Sequence, residues 1–101
     1  MATYQVLDAL GDATRRDILT LLRDGPLTVG ELATRLPVSR PAVSQHLRVL
    51  QACALVTRES LGTRNYYRVD PRGLAALRQW LDDFWAPVLE NFASYVEKDL
   101  P

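Results

Sequence analysis

Residues 39–51, "SRPAVSQHLRVLQ", place two arginines, two serines and two glutamines among apolar neighbours. At 100° per residue, Val43, Leu47 and Leu50 fall within about 40° of one another and form the edge a helix would bury. Arg40, Ser44, Arg48 and Gln51 gather on the opposite side, with Pro41 and Gln45 at its margin. Guanidinium, hydroxyl and amide groups are the ones that reach guanine O6/N7, adenine N6/N7 and phosphates in a DNA major groove. The N-terminal end of such a helix goes deepest, which ranks Arg40, Ser44 and Gln45 above Gln51 as base readers. A plain solvated face is the competing account of the same residues. Three neighbouring features favour recognition over it: a tight preceding turn, a serine cap and an arginine-bearing hairpin downstream.

The hairpin is read from "LVTRESL" and "NYYRVD", two β-rich runs flanking "GTR". Arg58, Arg64 and Arg68 lie on or near it. Arg64, beside Gly62, is placed at the tip, within reach of a backbone phosphate or the minor groove. Alternation puts Tyr67 and Val69 inward, and leaves Tyr66 open between phosphate donor and packing residue.

Elements able to hold these groups follow from caps and breakers. The spacing predicts a helix over 3–10, with Thr3 as its cap and Gly11 as its stop. Asp12 caps a second helix over "ATRRDILTLLRD", which Gly25-Pro26 ends. Thr28 and Glu31 have capping-box spacing and start a third, with Leu27 and Leu32 as a hydrophobic staple; Pro37 forces it to stop by Leu36. Ser39 caps the fourth, with Pro41 in its first turn, where a missing N–H costs nothing. The link between these two helices is only about three residues, a helix-turn-helix arrangement. Asp70 caps and Pro71 opens a long last helix with a wide apolar stripe from Leu74 to Val96. Pro87 removes the bond to the carbonyl of Asp83, so a kink or break is expected near 83–87.

The chain of 101 residues fits one domain, with the helix-turn-helix at 28–52, the hairpin at 55–70 and the final helix at 71–98. Its net charge of zero conceals an uneven distribution. Residues 35–72 carry seven arginines against Glu59 and Asp70, a local +5, whereas residues 81–101 carry five acids against Lys98, a local −4. One face then meets an anionic polymer while another does something else. No apolar run approaches the ~20 residues of a membrane span and no signal-peptide core is present. A single cysteine, Cys53, cannot staple the fold. The expectation is a cytoplasmic domain without membrane contact. With no nucleophile–base pair, no glycine-rich phosphate loop and one histidine, an enzyme is not expected.

Taken together, "DATRRDIL", "LTVGELA" and "SRPAVSQHLRVL", followed at the right distance by the hairpin, resemble the ArsR/SmtB transcriptional repressors over about residues 5–97. The resemblance implies a mainly α winged helix-turn-helix fold: four helices, a β-hairpin wing and a fifth helix. It also implies a homodimer joined through the first and last helices and a palindromic double-stranded DNA operator. The fourth helix becomes the reader and the hairpin the wing, so Ser39, Arg40, Pro41, Ser44, Gln45, Arg48, Arg58, Arg64 and Arg68 are the candidate DNA-binding set. Tyr4, Leu7, Trp80, Phe84, Trp85, Val88 and Phe92 are the candidate dimer contacts; a stripe this wide is more than one small domain covers.

Departures from the family pattern bear on sensing. Metal sensors of the family keep thiolates at the start of the third helix; here Thr28 and Gly30 stand at those two positions. Zinc-type members use histidines on the last helix, and this one has none. No metal and no cofactor is therefore expected, since a site needs three or four converging ligands. His46 borders the buried edge and is read as a packing or hydrogen-bonding residue. Ala54 replaces the glycine common after the fourth helix, at a left-handed position costing about 1 kcal/mol unless the helix ends differently. The leading expectation is a metal-independent dimeric repressor whose inducer is unknown. The alternatives are a repressor responding to a small molecule near Trp80, Phe84 and Trp85 or to oxidation of Cys53, and a winged-helix module that binds protein.

Overall fold

A computed structural model describes residues 3–99. The elements run α1 (Thr3–Leu10), α2 (Ala13–Leu22), α3 (Val29–Arg35), α4 (Arg40–Ala52), β1 (Val56–Leu61), β2 (Arg64–Val69) and α5 (Pro71–Asp99). This is the expected order of four helices, a hairpin and a fifth helix.

Local chemistry sets most of the boundaries. The Asp12 side chain accepts from the Arg15 N–H at 3.1 Å and starts α2. At α3 both halves of the capping box form: Glu31 N–H donates to Thr28 Oγ1 (3.1 Å) and Thr28 N–H to Glu31 Oε1 (3.2 Å). Ser39 Oγ accepts from the Ala42 N–H at 3.3 Å and opens α4, with Pro41 in the first turn. Thr3 is already helical, so it is not the cap of α1; the residues before it lie outside the described range.

One core holds the head together. Val6 of α1, Ile18 and Leu22 of α2, Leu32 of α3, and Val43, Leu47 and Leu50 of α4 are buried with Leu55, Val56 and Tyr67 of the hairpin. The strands pair antiparallel from Val56↔Val69 to Leu61↔Arg64. Arg64 thus belongs to β2 rather than to the loop, and Gly62-Thr63 make a two-residue turn. Gly62 has φ +62°, the positive value a tight hairpin needs at its first turn residue. A further bridge joins Leu27, just before α3, to Tyr67, fixing the hairpin against the helix-turn-helix.

The end of α4 is a Schellman motif. Leu55 N–H donates to Leu50 O (2.9 Å) and Ala54 N–H to Gln51 O (3.1 Å). Ala54 adopts φ +55°, so the left-handed conformation is kept without glycine. The start of α5 is sewn to this corner, with Gly73 N–H donating to Ala54 O at 2.8 Å and Asp70 N–H to Leu55 O at 2.9 Å. Gly73 is required by proximity: a Cβ there would lie 2.6 Å from the Ala54 oxygen. The fifth helix then runs 29 residues through Pro87 without a break. It packs against α1, is exposed from Leu81 to Lys98, and gives a molecule 68 Å long and 25 by 22 Å across. No helix among the described residues is long and apolar enough to cross a membrane.

Candidate nucleic-acid interface

The wheel drawn from sequence is realised in α4. Val43, Leu47 and Leu50 are wholly buried, Arg40, Pro41, Gln45 and Arg48 are exposed, and Ser44 and Gln51 are half-buried. Ser39 is exposed at the N-terminus with its hydroxyl oxygen engaged as the cap. The short link clamps this helix against α3, and the half-buried His46 looks inward: its Nδ1 lies 3.5 Å from Nη1 of Arg15. Arg15 also donates through Nε to Ala9 O at 2.7 Å, so one side chain ties α1, α2 and α4 together. The fourth helix is thereby held by α1, α2 and α3.

On the hairpin, register separates arginines that the sequence groups together. Arg58 pairs with Tyr67 on one face; Arg68 and Arg64 lie on the other, opposite Thr57 and Leu61. Tyr67 is buried and Val69 half-buried, and Tyr66 is half-buried across from Glu59. Arg68 forms an ion pair with Glu59, which removes much of its charge from the count available to an anion. Arg72 does the same with the buried Asp70 (Nη2–Oδ2 2.8 Å). The Arg72 side chain, helped by its own N–H, holds the Asp70 carboxyl below its usual range.

These two pairs consume both acids of residues 35–72. Among the described residues, Arg35, Arg40, Arg48, Arg58 and Arg64 form no ion pair. The local excess of five positive charges therefore resides on α3, α4 and the hairpin in uncompensated form. Arg40 and Arg64 line a common cleft of about 550 Å³ with Thr28, Gly30, Thr34 and Asn65.

The first and last helices carry exposed apolar side chains among the acids of α5. Tyr4 of α1 (68% exposed) and Phe84, Trp85, Val88 and Phe92 of α5 present open hydrophobic surface, with Phe92 at 63%. Leu7 and Trp80 are half-buried, and Trp80 stacks on Phe84 with ring centroids 5.5 Å apart. Around Trp85 there is a recess of about 250 Å³ lined also by Leu81 and Asp82. Cys53 lies elsewhere, 3% exposed, with its Sγ near the carbonyls of Val49 and Leu50 (3.4 and 3.6 Å); burial pushes its thiol pKa up. A thiol so placed is a poor nucleophile. Among the described residues no three His, Cys, Asp or Glu side chains converge on one point.

The comparisons with known proteins agree with this geometry. The family model described as "Bacterial regulatory protein, arsR family" matches residues 12–58. HTH-type transcriptional regulator Rv2034 of Mycobacterium tuberculosis is 52% identical across 98% of this chain and 96% of its own length. Transcriptional repressor SdpR of Bacillus subtilis is 33% identical across 78% of this chain and 88% of its own. Among solved structures, an ArsR-like transcriptional regulator from Rhodococcus superposes with a TM-score of 0.83 at 36% identity, covering 96% of this chain and 92% of that one. The homodimeric winged helix-turn-helix DNA-binding domain Mb0332 of Mycobacterium bovis, solved by NMR, superposes at 0.66 with 34% identity, covering 79% and 77%. The fold is a winged helix-turn-helix, and the chain belongs to the ArsR family of DNA-binding transcriptional regulators.

Proposed function

We propose that this regulator is a repressor that binds a palindromic operator as a homodimer and does so without sensing a metal. The observation that carries the reading is the set of five arginines on α3, α4 and the hairpin that form no ion pair among the described residues, in a chain with no net charge. Such a set supplies the phosphate contacts, and the outward side chains of α4, with Ser44 and Gln45 foremost, supply base selectivity. Two observations support dimerisation: the unpartnered apolar face of α5 with Tyr4 beside it, and the homodimeric state of the Mycobacterium bovis domain. Repression accords with the role of the Bacillus relative. Metal independence rests on the donors: Thr28 spends its hydroxyl on the α3 cap, and Gly30 offers no side chain.

Selection of bound duplexes from a random pool, followed by footprinting, tests the reading. The expected product is a two-fold symmetric sequence whose binding weakens steeply with salt and is unchanged by chelator. Its placement ahead of a reporter should lower expression. A flat salt response, or an asymmetric site filled by one chain, overturns the proposal.

A further inference from the structure

Arg40 stands at the first turn of the reading helix, where sequence reasoning expects a base reader. Its guanidinium is instead folded back onto α3. A Cβ built on Gly30 would lie 3.0 Å from Arg40 Nη2 and 3.4 Å from Cζ, so the side chain lies across the bare backbone of that glycine. From this seat it faces the cleft it shares with Arg64 and Asn65 of the hairpin. The one carboxylate at the cleft, Glu31, directs Oε1 to the Thr28 N–H and forms no ion pair with either arginine. Two uncompensated guanidinium groups therefore bound one open trough beside the reading helix, one from the helix-turn-helix and one from the wing. A trough of that kind matches a run of sugar-phosphate backbone, whose charges are spaced along a strand, and it lies off the outward face of α4 that carries Ser44 and Gln45.

We infer that Arg40 is a backbone anchor, clamping with Arg64 a single DNA strand between helix and wing, and that Gly30 is the positioning residue that gives Arg40 its seat. The inference rests on the DNA-binding reading above and changes one residue's role within it: base selectivity falls to Ser44, Gln45 and their neighbours, and Arg40 serves affinity.

The test measures binding of the selected operator and of a scrambled duplex of equal length across a salt series. Arg40→Ala should weaken both by the same factor, about ten-fold, and lower the slope of log K against log salt by about one, as loss of a phosphate contact does. Arg64→Ala should behave alike. Arg40→Lys should retain the slope. Gly30→Ala keeps every charge and favours helix, so the protein folds; it should weaken both duplexes alike, and add nothing further in an Arg40→Ala background. If Arg40→Ala instead relaxes preference at one base pair with the slope intact, Arg40 reads a base and the inference is wrong while the regulator reading stands. Additive effects of Gly30→Ala and Arg40→Ala overturn the positioning role. Failure of the unaltered protein to prefer the operator over the scrambled duplex overturns the DNA-binding reading itself.

Discussion

Leu27 and Tyr67 exchange both backbone hydrogen bonds, Leu27 N–H to Tyr67 O at 3.0 Å and Tyr67 N–H to Leu27 O at 2.8 Å. With the Tyr67 ring buried in the core, this bridge adds a backbone tie between the wing and the helix-turn-helix to the side-chain packing of Leu55, Val56 and Tyr67. A two-stranded ribbon alone is marginal in water, and the bridge and the buried Tyr67 together tie this one to the helices.

Replacement of Leu27 by proline removes one of the two donors and leaves the Tyr67 carbonyl without its partner. The expected loss is about 1–3 kcal/mol in urea unfolding, together with faster amide exchange along β2. Operator affinity should fall while the helices persist by circular dichroism. Unchanged exchange at Arg68 and Val69 would show that the wing does not depend on this bridge.

The apolar face of α5 predicts an association test. Trp85→Glu and Phe92→Glu alter side chains that are exposed in the single chain, so the fold of one chain should tolerate them to within about 0.5 kcal/mol. The expected outcome in sedimentation is a shift from dimer to monomer, with operator binding weakened at least ten-fold. A variant that still sediments as a dimer would place the interface elsewhere.

Asp70 gives a pH dependence with a definite sign. Its carboxyl is held below the ordinary value of 3.8 by the Arg72 guanidinium and N–H. A carboxyl whose pKa is lower in the folded state adds stability above its unfolded pKa and surrenders it as pH falls through the folded one. Asp70→Asn should therefore melt below the parent at pH 7, and the two melting curves should converge as the pH is taken under 3.8. A gap that stays constant with pH would assign the effect to shape and not to charge.

The corner after α4 yields a pair of opposite changes. Ala54→Gly relieves an L-residue held at φ +55° and should raise stability by up to ~1 kcal/mol. Gly73→Ala drives a methyl to within 2.6 Å of a backbone oxygen and should cost about 1–3 kcal/mol. Urea unfolding of both variants gives the comparison directly.

What the sequence made legible was whatever a few adjacent residues decide. Asp12, Thr28 and Ser39 cap helices because each side chain bonds an amide three residues on, and all three bonds form. The buried edge of Val43, Leu47 and Leu50 follows from a 3.6-residue period. Features that depend on register or on the approach of distant segments were not legible. Leu27, a lone bridge residue between Pro26 and Thr28, carries no alternation to signal a strand. The separation of Arg58 from Arg64 and Arg68, and the Arg68–Glu59 pair, exist only once Val56 is set opposite Val69. Arg40 on Gly30 requires the crossing of two helices. At Pro87 the helix continues because residues 81–98 are all exposed, so the carbonyl of Asp83 that loses its amide partner has water to turn to.

Three backbone hydrogen bonds, from Leu55 to Leu50, Asp70 to Leu55 and Gly73 to Ala54, fasten the end of α4, the root of the wing and the start of α5 at one point. The stalk and the reading head are thus geared together with no flexible linker between them. The direction in which α5 leaves is therefore fixed by the same bonds that fix the end of α4 and the root of the hairpin. A change of angle between α5 and the rest of the fold has to break or bend these bonds, so this corner, and not the length of the helix, sets how stiffly the two parts are joined.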